Sequence, residues 1–272
     1  MGRSTVLVTG GSRGIGAGIV KTFAEADYDI FFTYASAAEE AEQIRKAAAN
    51  YGVRVFYRQA LLERHEEPEK VVKDAINILG HIDVLVNNAG RTIRDSILEL
   101  EDENLDMLLD LNFRAYVRMI TFVSRHMVKH GIKGSIISVT STRGGRAYPK
   151  DGIYGGMKAA INRATESWAL DLAPYGIRVN AVAPGAIQVR YSPEADARYG
   201  DLAPRIPLGR QGYPEDIGQA VLFLADNKRA GYITGVTLKV DGGLVLPGMP
   251  EFSGGGRWND PPTEKNWDDT DL

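Results

Sequence analysis

The beginning of the chain constrains it most. Ser4-Thr5-Val6-Leu7-Val8-Thr9 is a short apolar run rich in β-branched residues. It passes directly into Gly10-Gly11-Ser12-Arg13-Gly14-Ile15-Gly16 and then into a helical stretch at 17–26. A continuous apolar run bounded by turn residues predicts a strand buried on both faces, as in a covered parallel sheet. Glycines at a strand-to-helix turn let the backbone approach a pyrophosphate, which then sits against the partly positive helix N-terminus. A tight turn with no ligand would use similar glycines, and it is the strand–turn–helix context that favours phosphate binding.

Similar runs recur at 29–34, 53–57, 83–87, 134–139, 178–183 and 236–240, with helical spacing between them, as at 37–51 and 67–79. Strand alternating with helix implies right-handed crossovers and one α/β, doubly wound parallel sheet of about seven strands. Ligands in such folds bind beyond the C-terminal ends of the strands. The length of 272 residues permits two domains, but no repeat or flexible linker interrupts the chain before about residue 247. The expectation is a single domain at 1–247 and a tail at 248–272. Residues 251–272 carry six acids and two bases, a net −4, which leaves the first 250 residues at +1 within a total of −3. Phe252, Trp258 and Trp267 make this tail too aromatic for ordinary disorder, so part of it is expected to dock.

Composition removes several classes of function. With no cysteine, a disulfide scaffold, a zinc–thiolate site, an iron–sulfur cluster and a cysteine nucleophile are excluded. A near-neutral balance with pI 5.9 gives no footprint for nucleic acid or an anionic membrane. No apolar run reaches the roughly 18 residues of a membrane span, and a strand follows the first arginine where a leader would need a hydrophobic helix. The expectation is a cytoplasmic protein. His126 and His130 lie four apart on a helical segment, but without nearby acids they read as a solvated helix end. His65 and His81 read as loop residues, and no metal site is expected.

Tyr154 and Lys158 are one helical turn apart on one face. Tyrosine, with a reference pKa of about 10, is a poor acid–base catalyst until a neighbouring ammonium stabilises its phenolate. Chance pairs of this spacing are frequent, so position must decide. Ser141 falls at the end of the fifth strand, where this fold keeps its site, thirteen residues before Tyr154.

Taken in order, Thr9-Gly10-x-x-x-Gly14-Ile15-Gly16, Asn87-Asn88-Ala89-Gly90, Asn112, Ser141, Tyr154-x-x-x-Lys158, Pro184-Gly185 and Val240-Asp241-Gly242-Gly243 resemble the compact branch of the short-chain dehydrogenase/reductase family. The resemblance spans residues 4 to about 246 and implies a Rossmann-like fold. It makes Tyr154 the general acid/base, Lys158 its tuner and ribose ligand, and Ser141 the hydrogen-bond donor to the reacting oxygen. Asn112 becomes the helix-kinking residue that holds a water leading from the lysine. Cofactor contacts are implied at Gly10, Ser12, Arg13, Gly14, Ile15, Gly16, Tyr34, Ser36, Leu62, Asn88, Ala89, Gly90, Tyr154, Lys158, Pro184, Gly185 and Ile187. No carboxylate stands at the end of the second strand, where Tyr34 lies and where NAD-binding folds place an acid for the ribose. Asp29 is at that strand's other end. Arg13 and Ser36 could hold a 2′-phosphate, so NADP(H) is favoured over NAD(H). Two departures are Leu61, where many relatives carry an adenine-binding Asp, and Val189, where many carry a Thr.

The reaction implied is hydride transfer between nicotinamide and a carbonyl or secondary alcohol. Arg91, Thr92 and Ile93, the loop from Thr142 to Ile153, and a lid with Gln188, Arg190, Tyr191 and Arg198 would wall the pocket. Its arginines suit a polar sugar, a keto acid or a 3-oxoacyl compound. The motifs are nearest those of glucose dehydrogenases and 3-oxoacyl-carrier-protein reductases. Two long helices, at 103–129 and 154–175, correspond to those through which relatives form homotetramers or homodimers, with Leu108, Leu109, Ile120, Phe122, Ile161 and Trp168 as interface candidates; simple packing within the chain is the alternative for these residues. The alternative is a non-catalytic, cofactor-binding sensor or scaffold, against which the intact Asn112, Ser141, Tyr154 and Lys158 argue.

Overall fold

Each apolar run becomes a strand: β1 (Thr5–Val8), β2 (Asp29–Tyr34), β3 (Val55–Gln59), β4 (Val84–Asn87), β5 (Ser135–Val139), β6 (Arg178–Pro184) and β7 (Thr237–Val240). This computed structural model describes residues 2–189 and 202–246. The acidic tail with Phe252, Trp258 and Trp267, and Arg190, Tyr191 and Arg198 of the expected lid, lie outside the described residues. All seven strands are parallel, in the order β3-β2-β1-β4-β5-β6-β7. The chain builds outward from β1 to β3, then returns to the other side of β1 with β4. A crevice therefore opens between the C-terminal ends of β1 and β4, where the crossovers part.

The helices are α1 (Gly14–Glu25), α2 (Ala38–Ala49), α3 (Glu67–Leu79), α4 (Asp102–Leu109), α5 (Ala115–His130), α6 (Gly152–Leu172) and, the next among the described residues, α7 (Pro214–Ala225). Strand periodicity divides the apolar residues between two cores. Val6, Val8, Ile30, Phe32, Val84 and Val86 pack with α1, α2 and α7 through Ile19, Phe23, Ala41, Val221 and Leu224. Leu7, Phe31, Leu85 and Ile136 pack with α3 and α5 through Val71, Val72, Met119 and Val123. Each such side chain contributes roughly 1.5–3 kcal/mol by leaving water. That demand on both faces is why these strands are continuously apolar.

Two expectations are corrected here. The helix expected at 103–129 is two helices, because a π-helical turn, Asp110–Arg114, separates α4 from α5. Of the interface candidates, Leu108, Ile120 and Ile161 are buried inside their own chain, so they hold the fold together instead. Leu109, Phe122 and Trp168 keep exposed surface. Among the described residues no helix is long and apolar enough to cross a membrane.

Candidate active site

Three strand ends are tied together around the glycine turn. Thr9 Oγ1 accepts the backbone N–H groups of Asn88 (2.9 Å) and Ala89 (3.0 Å). Asn88 Nδ2 donates to the carbonyls of Thr9 and Gly10, each at 3.0 Å. Gly10 N–H donates to Thr33 Oγ1 of β2 at 3.1 Å. Gly10 has φ +68°, and a Cβ on Gly16 would stand 2.0 Å from the Gly10 carbonyl oxygen, so the turn admits no side chain there. Arg13 precedes α1 in extended conformation, and no side chain caps the helix. The first-turn N–H groups of α1 are thus left for an anion. At α7, by contrast, Asp216 accepts the Tyr213 N–H at 2.7 Å.

The other cofactor candidates gather at the same sheet edge. Ser12 is buried in the turn, Ile15 packs on the first core, and Arg13 and Ser36 are exposed. Tyr34 is half-buried, its ring 5.7 Å from that of Tyr57. Asp29 lies at the far end of β2, paired with Arg54 at 2.7 Å. Gly185 N–H donates to the Val240 carbonyl at 3.0 Å, and Ile187 bridges to Gly212. The side chain of Leu62 is committed to the second core, so only its backbone remains available to a cofactor. A closed glycine cradle, an uncapped helix N-terminus and no acid at the end of β2 form a donor set that fits a dinucleotide.

The second cluster lies beyond β4 and β5. Asn112 sits in the π-turn, fully buried, where Nδ2 donates to the carbonyls of Arg91 (2.9 Å) and Leu108 (3.3 Å). Its Oδ1 accepts the Arg91 N–H at 3.2 Å. Gly90 fits between Asn112 and Lys158: a Cβ there would lie 2.8 Å from Asn112 Oδ1 and 3.7 Å from Lys158 Nζ. Lys158 is buried in α6, with Nζ 5.6 Å from the centroid of the Tyr154 ring. Ser141 does not close β5, as expected, but lies two residues past it and caps a 3-10 turn, Thr142–Gly144. Its Oγ accepts the Arg143 N–H at 3.1 Å, which leaves the hydroxyl proton to donate elsewhere. Asn112, Ser141, Tyr154 and Lys158 are therefore brought together.

Their electrostatics differ from expectation. Burial pushes the Tyr154 phenol up and Asp151 adds to this, while Arg143 and a hydrogen bond with Ser141 oppose it. Burial pulls Lys158 down to about 7. The lysine was expected to lower Tyr154 directly. Instead its Nζ donates to the hydroxyl of Tyr116 (3.2 Å) and the carbonyl of Val139 (3.1 Å), and both members of the pair have lost water.

Two participants escaped the sequence reading. Tyr116 lies four residues after Asn112, and that spacing could have flagged it. Asp151 pairs with Arg143 at 3.1 Å and is nearly fully buried; Arg143 also lies 4.6 Å from the centroid of the Tyr148 ring. Neither end of that ion pair forms a recognisable spacing. His130 closes α5 in solvent, as expected, while His126, its ring 4.3 Å away, is half-buried. Among the described residues no group of three or more His, Asp or Glu could hold a metal ion.

A family model described as enoyl-(acyl carrier protein) reductase matches residues 10–245. The chain is 36% identical over 246 residues to the 3-oxoacyl-[acyl-carrier-protein] reductase of Staphylococcus epidermidis, covering 89% of this chain and 99% of that protein. A short-chain dehydrogenase/reductase of Serratia marcescens is 35% identical and superposes with a TM-score of 0.83, covering 89% of this chain and 97% of that one. The chain belongs to the short-chain dehydrogenase/reductase family. As a short-chain dehydrogenase/reductase it is an oxidoreductase acting on CH–OH donors. A blue fluorescent protein from a metagenomic library, solved in complex with NADPH, is similar at 34% identity and a TM-score of 0.82, covering 89% of this chain and 98% of that one.

Proposed function

We propose that this short-chain dehydrogenase/reductase reduces a ketone carbonyl with NADP(H), Tyr154 acting as general acid, and that a 3-oxoacyl thioester is the substrate to test first. The gathering of Ser141, Tyr154, Lys158 and Asn112 around Gly90 carries the reaction class. The substrate class comes from the acyl-carrier-protein reductase named among its relatives. NADPH supplies the hydride when bound.

The chain's own residues bind and orient. The turn from Gly10 to Gly16 takes the pyrophosphate, with Ser12, Gly14 and Ile15 contributing backbone. Arg13 and Ser36 take the 2′-phosphate, beside Tyr34. Asn88, Ala89, Gly90, Pro184, Gly185 and Ile187 line the nicotinamide end, and Leu62 offers its backbone near the adenine. Lys158 holds the nicotinamide ribose. Ser141 donates to the carbonyl oxygen, and Tyr154 gives its proton to the developing alkoxide. Lys158 and Asn112 return that proton from solvent. Leu109, Phe122 and Trp168 remain for a homotetramer or homodimer of a cytoplasmic enzyme.

Tyr154→Phe keeps the ring and removes the hydroxyl, and with it the transferable proton and the hydrogen bond with Ser141. It should lower kcat by about 10³-fold while NADPH binding stays within about threefold. Turnover at the wild-type rate in that variant overturns the assignment. A panel of 3-oxoacyl thioesters, sugars, keto acids and cyclic ketones, assayed with NADPH, separates the substrate classes.

A further inference from the structure

Lys158 is held by a group outside the Asn112, Ser141, Tyr154 and Lys158 set. Tyr116, in the first turn of α5, is 2% exposed, and its hydroxyl donates to the Val139 carbonyl at 3.1 Å. The same oxygen accepts a proton of Lys158 Nζ at 3.2 Å, and Nζ donates again to the Val139 carbonyl at 3.1 Å. Nζ also stands 4.7 Å from the centroid of the Tyr116 ring. Lysine, the phenol of Tyr116 and the last carbonyl of β5 thus form a closed triangle.

We propose that Tyr116 is a positioning residue for the reaction, holding Lys158 charged and aimed so that one of its three protons is left for the cofactor ribose and the Tyr154 side. The proposal rests on the roles given above to Tyr154 and Lys158. An ammonium has three protons and no acceptor, and two of these protons are engaged by Tyr116 and Val139. The remaining direction is limited by what packs around Nζ: Gly90 with Asn112 Oδ1 on one side, and the Tyr154 ring, from Lys158's own helix, on another. Of the titratable groups on α5, Tyr116 is the one in contact with Nζ, β5 presents the Val139 carbonyl, and the π-turn presents the Asn112 amide. Among the described residues no carboxylate pairs with Nζ, while Arg143 and Asp151 act on Tyr154. Burial alone therefore works against the ammonium, and the Tyr116 oxygen and Val139 carbonyl are what oppose that loss. Burial also pushes the Tyr116 phenol up, so it stays protonated and can donate to Val139 throughout the working range.

The test is Tyr116→Phe, which keeps the ring and removes only the oxygen. Lys158 then gives up its proton at lower pH. The apparent basic limb of the kcat profile for reduction should move down by about one unit. Well below the limb kcat should remain within about threefold, and above it kcat should fall about tenfold. An unmoved limb overturns the proposal, whether kcat is unchanged or uniformly reduced at every pH, as a purely structural role would give. If Tyr116→Phe does not fold, 3-fluorotyrosine at position 116 weakens the oxygen as an acceptor and must move the limb the same way by less; no movement again overturns it. Tyr154→Phe measured alongside separates the two readings. Wild-type turnover there defeats the assigned acid, whereas an inactive Tyr154→Phe with an unmoved Tyr116→Phe limb defeats only the role of Tyr116.

Discussion

The two halves of the crevice are built in opposite ways. The glycine-turn half, between β1, β2 and β4, is made of backbone: carbonyls and N–H groups tied by Thr9, Thr33 and Asn88, with glycines where a Cβ would collide. The other half, between β5, α5 and α6, is made of titratable side chains: Lys158 and Tyr116 are buried, and Tyr154 is half-buried beside them. The first half should fail by steric conflict, whatever the pH. The second should fail by charge, and differently at each pH.

The largest expected effect tests the charged half. Burial brings Lys158 from its ordinary 10.5 to about 7. Below about 7 both the folded and unfolded chains carry this proton; between about 7 and 10.5 only the unfolded chain does. The unfolded state then binds more protons, so this lysine's contribution to stability rises with pH across that window. Relative to Lys158→Met, wild-type stability should gain on the order of 4 kcal/mol from pH 7 to pH 10. Urea unfolding of both proteins at several pH values measures this, and parallel curves would contradict a desolvated lysine.

Next in size is the steric half. Gly16→Ala forces a Cβ against the Gly10 carbonyl, which should cost about 3 kcal/mol in stability and weaken NADPH binding by about 100-fold. Both losses should be the same at pH 6 and pH 9, as thermal melts and fluorescence titration would show. A pH-dependent loss would erase the contrast between the two regions.

Asp151→Asn is smaller. It leaves the Arg143 guanidinium, itself partly exposed, without its carboxylate, at about 2 kcal/mol of stability. Because Asp151 raises Tyr154, the acid limb of alcohol oxidation should shift to lower pH. Arg13→Ala is the smallest: the ratio of NADPH to NADH affinity should fall about tenfold, or about 1.4 kcal/mol. An unchanged ratio would remove Arg13 from 2′-phosphate recognition.

The same contrast explains what was readable in advance. The strands were legible within two residues at each end, the inner five because burial on both faces demands apolar runs, the edge strands β3 and β7 by β-branched and aromatic residues although much of their surface is exposed. The glycine turn was legible because steric exclusion writes itself as glycine at fixed intervals. The triangle of Tyr116, Val139 and Lys158 was not, because its members lie 23 and 19 residues apart along the chain and one of them contributes only a carbonyl. The Arg143–Asp151 pair was hidden in a loop whose charges resemble ordinary solvated ones until Asp151 is seen to be buried. Leu108, Ile120 and Ile161 show the reverse error: helical spacing announces that a face is covered, but says nothing of whether the cover is the same chain or another copy.

The π-turn at Asp110–Arg114 has a consequence for how α4 and α5 are numbered against each other. A π-turn is an α-helix with one residue too many, so α4 and α5 are two segments of one rod set out of phase by about 100° and about 1.5 Å. Deleting a single residue between 109 and 114 would let the rod close into a regular helix. Everything on one side of the deletion would then rotate by that angle relative to the other, and Asn112 could not face Arg91 while Met119 and Val123 still faced the sheet. The site and the core are kept in step by that one supernumerary residue.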